Sequence, residues 1–452
     1  MLCGVLFLSL AVPALGLARR FPFGALTQLR SPEDCFSSAP SFGCGSVARG
    51  VDIGTGSVVV TPDGRNVYVG SEADGSVLEF ARDRRGWLRQ LPAPYFCVGG
   101  AASGTLCPHQ ALGLQAPGEI VVSPDGRNVY VASNGGDALV ELARGRGGAL
   151  RQLSGINACI GMSAPPDAGG LPCPRQAPGL NEPEGMVISP DGRDLYVLGR
   201  YASTLDVFSR RRDGSLRFVQ CIQERGLANR YAGTNGCVAS AAGLSDPAQA
   251  AVSPDGRDVY VSSPDSRSIA IFARRGNGRL REAGCLGQNG SECGGLSVDL
   301  DGASGLAISP DGRSMYLGAR SVVLPLRRDR RGRLRTFGGR ARCVGAADSG
   351  CPEQGPGLEW DDSIAVSRDG RNVYVAAYSL DAVTAFVRQK DGSLRQLPGR
   401  FDCLSPYPYS GCHGTALGIW SPVAVALSPD GRSVYVTGSE SDALALFARH
   451  TP

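Results

Sequence analysis

Carboxylates recur just ahead of short apolar runs in this 452-residue chain: Glu119 before Ile120-Val121-Val122, Glu184 before Gly185-Met186-Val187-Ile188, and Asp361 with Asp362 before Ser363-Ile364-Ala365-Val366. A carboxylate held beside a positive charge can take a proton from water, so these four are the candidate general bases of a hydrolytic reaction. Converging carboxylates could equally bind a divalent cation through oxygen ligands, although no dedicated cofactor is called for. Arg200, Tyr201, Asp265, Arg267, Arg320 and Tyr378 stand beside other apolar runs and are the candidate binding residues. The chain lacks a Gly-x-Ser-x-Gly nucleophile elbow, a phosphate-binding glycine loop and a His-Glu-x-x-His zinc motif.

The cysteines carry a different chemistry. Fifteen occur; Cys3 lies in an apolar leader, and the others form neighbouring pairs: Cys35 with Cys44, Cys97 with Cys107, Cys159 with Cys173, Cys221 with Cys237, Cys285 with Cys293, Cys343 with Cys351 and Cys403 with Cys412. The spacing within each pair is too long for a zinc knuckle, and only His109 and His413 sit near any of them. Nearest-neighbour disulfides are therefore expected, which implies an oxidising compartment. Residues 1–20 have the length and small-residue ending of a cleaved secretory signal. The expected localisation is secreted, periplasmic or extracellular.

What must position these residues is a repeat. The motif typified by Ser123-Pro124-Asp125-Gly126-Arg127-Asn128-Val129-Tyr130-Val131 begins at Thr61, Ser123, Ser189, Ser253, Ser309, Ser367 and Ser428, with spacings of 62, 66, 64, 56, 58 and 61 residues. Pro fixes φ for a turn, Asp tolerates the bridge region and Gly accepts positive φ, so each copy reads as a tight hairpin running into a returning strand. Two further apolar runs complete a four-stranded meander. Seven such units fill residues 21–452 as a single domain, and 63 glycines with 30 prolines suit a protein of short strands and turns.

The two ends fit each other. Gly24-Ala25-Leu26-Thr27-Gln28-Leu29 resembles the fourth strand of the other repeats, whereas the last repeat stops after its third. An N-terminal strand that completes the last sheet would close a ring and remove the free edges of an open array. The expected fold is an all-β seven-bladed β-propeller with four-stranded antiparallel blades and one disulfide-stapled loop per repeat. Repeat five, with Pro325 in its third strand, is expected to be distorted.

Seven copies of Ser-Pro-Asp-Gly-Arg-x-Val-Tyr-Val resemble the YVTN-type repeat propellers and the seven-bladed lactonase family that includes 6-phosphogluconolactonase and carboxymuconate cyclase. The resemblance implies the fold and, as an activity, lactone hydrolysis; no lactonase catalytic motif matches this chain residue by residue. The expected function is that of an exported, disulfide-stapled binding module for a protein or glycan, acting through its cysteine-loop face and channel mouth. The alternative is a lactonase-type hydrolase of a small-molecule substrate. A net charge of +4 gives no reason to expect nucleic acid as a partner, and a monomer without a membrane span in the mature chain is expected. Arg-rich turns between strands three and four, at residues 82–85, 210–212, 274–275 and 327–331, lie near the Asp residues of the hairpins and are expected to be balanced by them.

Overall fold

The computed structural model describes residues 21–39, 43–49, 56–100, 107–162, 173–226, 236–407 and 410–451; residues 1–20, expected to be a secretory signal, lie outside them. Seven sheets form, six with their strands in sequence order from the inner strand outward and the seventh completed by strands from the N-terminal region. The second blade is typical. Pro117–Val122 pairs antiparallel with Asn128–Ser133, which pairs with Ala138–Arg144; Leu150–Gln152 and Cys159–Met162 then share the far side of that third strand.

Two features go beyond the four-stranded expectation. The fourth strand is broken into two pieces in five blades and continuous in two, at Leu216–Glu224 and Leu280–Gln288. Beyond it lies a short parallel strand, such as Arg175–Ala177 beside Cys159–Met162.

Each disulfide ties this outermost strand or the turn before it to the fourth strand. All seven nearest-neighbour bridges are present: Cys35 to Cys44, Cys97 to Cys107, Cys159 to Cys173, Cys221 to Cys237, Cys285 to Cys293, Cys343 to Cys351 and Cys403 to Cys412. Their Cα separations run from 4.6 to 5.4 Å, within the reach of a disulfide. Mapping of non-reduced peptides is expected to recover these seven bridges; one bridge between blades would contradict the arrangement.

The ring closes as the ends suggested. Leu26–Gln28 and Cys35–Ser37 both pair antiparallel with the last strand, Ala443–Arg449, and Ser46–Val47 adds the outer parallel strand. The N-terminal region thus supplies the whole outer half of the seventh blade. Repeat five is regular: Ser314–Ala319 and Val322–Arg328 pair without a bulge, with Pro325 opposite Tyr316. Pro325 fits because the equivalent residues Glu79 and Leu446 donate their N–H to the broken fourth strand, where one bond can be forgone without interrupting the inner ladder.

The core lies between blades. Each hydrophobic cluster joins two neighbours: Val67, Leu78 and Phe80 of the first blade meet Tyr435, Leu444 and Leu446 of the seventh. The motif tyrosines are fully buried, among them Tyr68, Tyr130, Tyr374 and Tyr435.

The repeated motif is also an electrostatic clamp. Ser123 donates its hydroxyl to Asp125 (2.6 Å) and accepts the N–H of Asn128 (3.0 Å), which fixes the turn. The aspartate then accepts the arginine ending the third strand of the next blade: Arg210 on Asp125 at 2.8 Å, Arg144 on Asp63 at 2.9 Å and Arg388 on Asp311 at 2.8 Å. Arg210 also donates to the Tyr130 hydroxyl (2.9 Å), which itself donates to the Gly214 carbonyl (2.6 Å). Burial alone would push the Asp125 carboxyl up, but Ser123, Arg210 and a backbone N–H outweigh it and hold it below the usual range. The pattern runs round all seven blades, including Arg82 on Asp430 across the seam at 2.9 Å. The strand-three arginines are thus balanced by the hairpin aspartates, as the sequence suggested.

Candidate functional site

The inner strands converge on a central channel whose mouth opens into a polar cavity of about 980 Å³. Its wall comes from the starts of the inner strands and the ends of the second strands, on the face opposite the Asp-Gly turns. Glu119, Glu184, Arg200, Asp265 and Tyr378 all line it, joined by Gln249 and Ser304.

Local backbone sets the two glutamates. Both sit in β-bulges, where the register slips between Pro117 and Ile120 and between Pro183 and Met186. A bulge places an extra residue on one strand and re-aims its side chain, a device common beside active sites. Just before each bulge a non-glycine residue takes positive φ, Ala116 at 44° and Glu182 at 46°. Gly185 is required by proximity, because a Cβ there would fall 2.3 Å from the Ala248 carbonyl oxygen of the next blade.

Arg200, just past the second strand of the third blade, bridges two carboxylates: its Nη1 meets Glu184 at 2.7 Å and its Nε meets Asp246 at 2.6 Å. Burial works against the Arg200 cation, but Asp246 and Glu184 more than compensate and keep it protonated. Burial pushes the Glu119 carboxyl up to about 7; a hydrogen bond from Gln249 opposes the rise and the charge of Glu184 adds to it. Burial also raises Glu184, against the pull of Arg200, and raises Glu72 with help from Glu184. The mouth therefore holds a coupled set of carboxylates, one with its proton balanced near neutrality, beside a fixed guanidinium.

The remaining candidates divide. Arg267 and Arg320 reach Asp301 at 3.4 and 3.5 Å and stand outside the cavity lining. Tyr201 is exposed and also outside it. Asp361 and Asp362 begin the sixth inner strand, Asp361–Val366, and their side chains lie outside the described residues. Among the described residues no group of three or more His, Cys, Asp or Glu is disposed to hold a metal ion. Among the described residues the disulfides themselves stand away from the mouth: none of Cys44, Cys107, Cys173, Cys237, Cys293, Cys351 and Cys412, nor any of their partners, lines the cavity. The bridges sit toward the outer edges of the blades, because each is anchored on the fourth strand, farthest from the channel but for the outer parallel strand.

Sequence reasoning missed Glu72, Asp246, Asp301 and Trp360, all of which line the cavity. Asp246-Pro247 stands where Glu182-Pro183 stands one repeat earlier, so repeat alignment carried a signal for Asp246. Glu72 had none, because it ends a second strand where other blades place Asn134, Arg200 or Tyr378.

Fold and mouth together define a closed seven-bladed propeller with a polar cavity built by unlike residues on like strands. The family described as "Lactonase, 7-bladed beta-propeller" matches residues 183–303, a segment that brings Glu184, Arg200, Asp246, Gln249, Asp265 and Asp301 to the cavity. The chain resembles that family. Among solved structures, a putative 6-phosphogluconolactonase from Bacteroides fragilis is 18% identical, with 82% of this chain and 86% of that chain covered at a TM-score of 0.54. The periplasmic gluconolactonase PpgL of Pseudomonas aeruginosa is 20% identical (80% and 86% covered, TM-score 0.53). Hydrazine synthase of Kuenenia stuttgartiensis is 14% identical (93% and 97% covered, TM-score 0.53), so the likeness shows the fold and leaves the reaction to the site. None of the curated proteins matches the chain in sequence. The family match favours the lactonase alternative over the binding module.

Proposed function

We propose that the protein hydrolyses lactones at the channel mouth. The observation that carries this reading is the convergence of Glu119, with its carboxyl raised to about 7, on a cavity that also holds the Glu184–Arg200–Asp246 bridge. In the reaction a water oxygen attacks the lactone carbonyl carbon while Glu119 takes its proton. The negative charge developing on the carbonyl oxygen is met by the Arg200 guanidinium, whose Nη2 has no hydrogen-bond partner among the described residues. Collapse of the tetrahedral intermediate breaks the ring C–O bond, the ring oxygen takes the proton back, and the open hydroxy acid leaves. Export to an oxidising compartment belongs to the same proposal, supported by the seven disulfides.

The charge of the mouth bears on the substrate. Glu72, Glu119, Glu184, Asp246, Asp265 and Asp301 line it against one lining arginine, Arg200, with Arg267 and Arg320 pairing Asp301 from just outside, so carboxylates outnumber the arginines six to three. An anionic substrate would meet repulsion there, so uncharged lactones suit the site. Purified protein is expected to open neutral lactones with a kcat/KM at least about tenfold above that for phosphorylated counterparts, and Arg200→Met is expected to lower that rate. A preparation that turns over no lactone in a broad panel would overturn the reading, and one that prefers phosphorylated lactones would overturn the substrate class.

A further inference from the structure

The strand-three arginines leave a second set unaccounted for. Each Asp-Gly turn carries an arginine immediately after the glycine: Arg65, Arg127, Arg193, Arg257, Arg313, Arg371 and Arg432. All seven are exposed. None of their side chains enters an ion pair among the described residues, because the turn aspartates are committed to the strand-three arginines of neighbouring blades. Several adjacent turns touch, with Gly64 lying against Pro429, Gly192 against Pro124, Gly312 against Pro254 and Gly370 against Pro310, so the seven arginines follow one another around one face of the disc. The strand-three-to-four turns of the same face add exposed Arg84, Arg85, Arg211 and Arg212.

Exposed aromatic residues interrupt this basic face: Phe21, 39% exposed, at the turn that closes the seventh blade, and Trp87. Trp87 is 36% exposed at the end of the first blade's turn, with the Arg85 guanidinium 5.2 Å from its ring. Arginine beside exposed tryptophan is the pairing that settles at a lipid headgroup boundary, where the indole enters the interface and the guanidinium meets phosphate. The opposite face carries the acidic mouth, so the molecule has two faces of opposite sign even though its net charge is only +4.

We propose that the turn face docks peripherally on an anionic lipid bilayer, holding the channel mouth away from the membrane. A planar surface can contact a closed ring of arginines all at once, whereas a linear acidic polymer reaches only part of it. With about 1 kcal/mol of attraction per arginine near such a surface, the ring supplies useful affinity at low ionic strength and loses most of it in high salt. Binding needs no helix, and among the described residues no helix is long and apolar enough to span a bilayer.

Co-sedimentation of the full chain with phosphatidylglycerol-containing vesicles and with pure phosphatidylcholine vesicles tests this. Binding is expected to the anionic vesicles only, weakened in high salt, and reduced roughly 100-fold in the triple variant R127S/R193S/R257S, as three lost contacts imply. Brominated lipid is expected to quench fluorescence in the wild type and to lose most of that quenching in Trp87→Phe, since Trp360 and Trp420 belong to the other face. Equal binding to neutral vesicles, undiminished binding by the triple variant, quenching that survives Trp87→Phe, or retention by a soluble acidic polysaccharide with none by vesicles would each overturn the proposal. Lactone turnover in solution is expected to be unchanged in the triple variant, which separates this test from that of the hydrolytic reading.

Discussion

Glu119→Gln is expected to lower lactone turnover by roughly 100- to 10,000-fold, the range over which a positioned general base contributes, while leaving the melting temperature unchanged. The amide keeps the shape and the hydrogen-bonding contact with Gln249 but cannot accept the proton of water. The pH profile supplies a second readout. Because Glu119 must be ionised to act and its carboxyl is raised to about 7, kcat/KM in the wild type should climb as the pH rises through that value and level off above it. In Glu119→Gln the residual rate should lose this limb. Full turnover by Glu119→Gln, or an unshifted limb in that variant, would remove Glu119 from the mechanism and point to Glu184 or Glu72.

Arg449→Met is expected to destabilise the propeller by about 3 kcal/mol, the lower end of the penalty for removing one partner of a buried ion pair. Arg449 ends the last strand and its side chain is 1% exposed. It donates to Asp369 at 2.8 Å, to the Asn372 side chain at 2.7 Å, to the Tyr374 hydroxyl at 3.0 Å and to the Gly431 carbonyl at 2.9 Å. Methionine fills the space and abandons four acceptors; Asp369, whose side chain is 36% exposed, can recover some water, which keeps the cost low in the range. The melting temperature should fall by about 3 °C. Burial would push the Asp369 carboxyl up, but Ser367 and Arg449 hold it below its ordinary value of 3.8. A carboxyl with a lowered folded-state pKa contributes stability above that ordinary value and loses it as the pH falls further, so the gap between variant and wild type should close in acid. Arg127→Ser, on the exposed ring, should melt like the wild type. An Arg449→Met protein that does the same would show the clamp to be dispensable.

Residue types and spacing alone determined the ring, the blade count, the closure by an N-terminal strand and the seven disulfides, because each is a local pattern repeated at a fixed period. A turn needs Pro, Asp and Gly at fixed offsets, and repeated copies average out the accidents of any one. The sequence also placed Glu119, Glu184, Arg200, Asp265 and Tyr378 near the mouth, since the starts of inner strands and the ends of second strands share one face of a propeller. Only the tertiary structure decided which of them meet. Arg200 bridges Glu184 to Asp246, 46 residues further along, whereas Arg267 and Arg320, equally plausible by position, stand outside the cavity wall and pair with Asp301 on it. The same holds for the motif itself: its Asp and Tyr read as turn and core residues, yet they bind an arginine about 80 residues away on the next blade, as Asp125 and Tyr130 do with Arg210. Periodicity fixes what is alike in every blade, and function lies in the contacts between unlike residues, which form only when the strands are brought together around one axis.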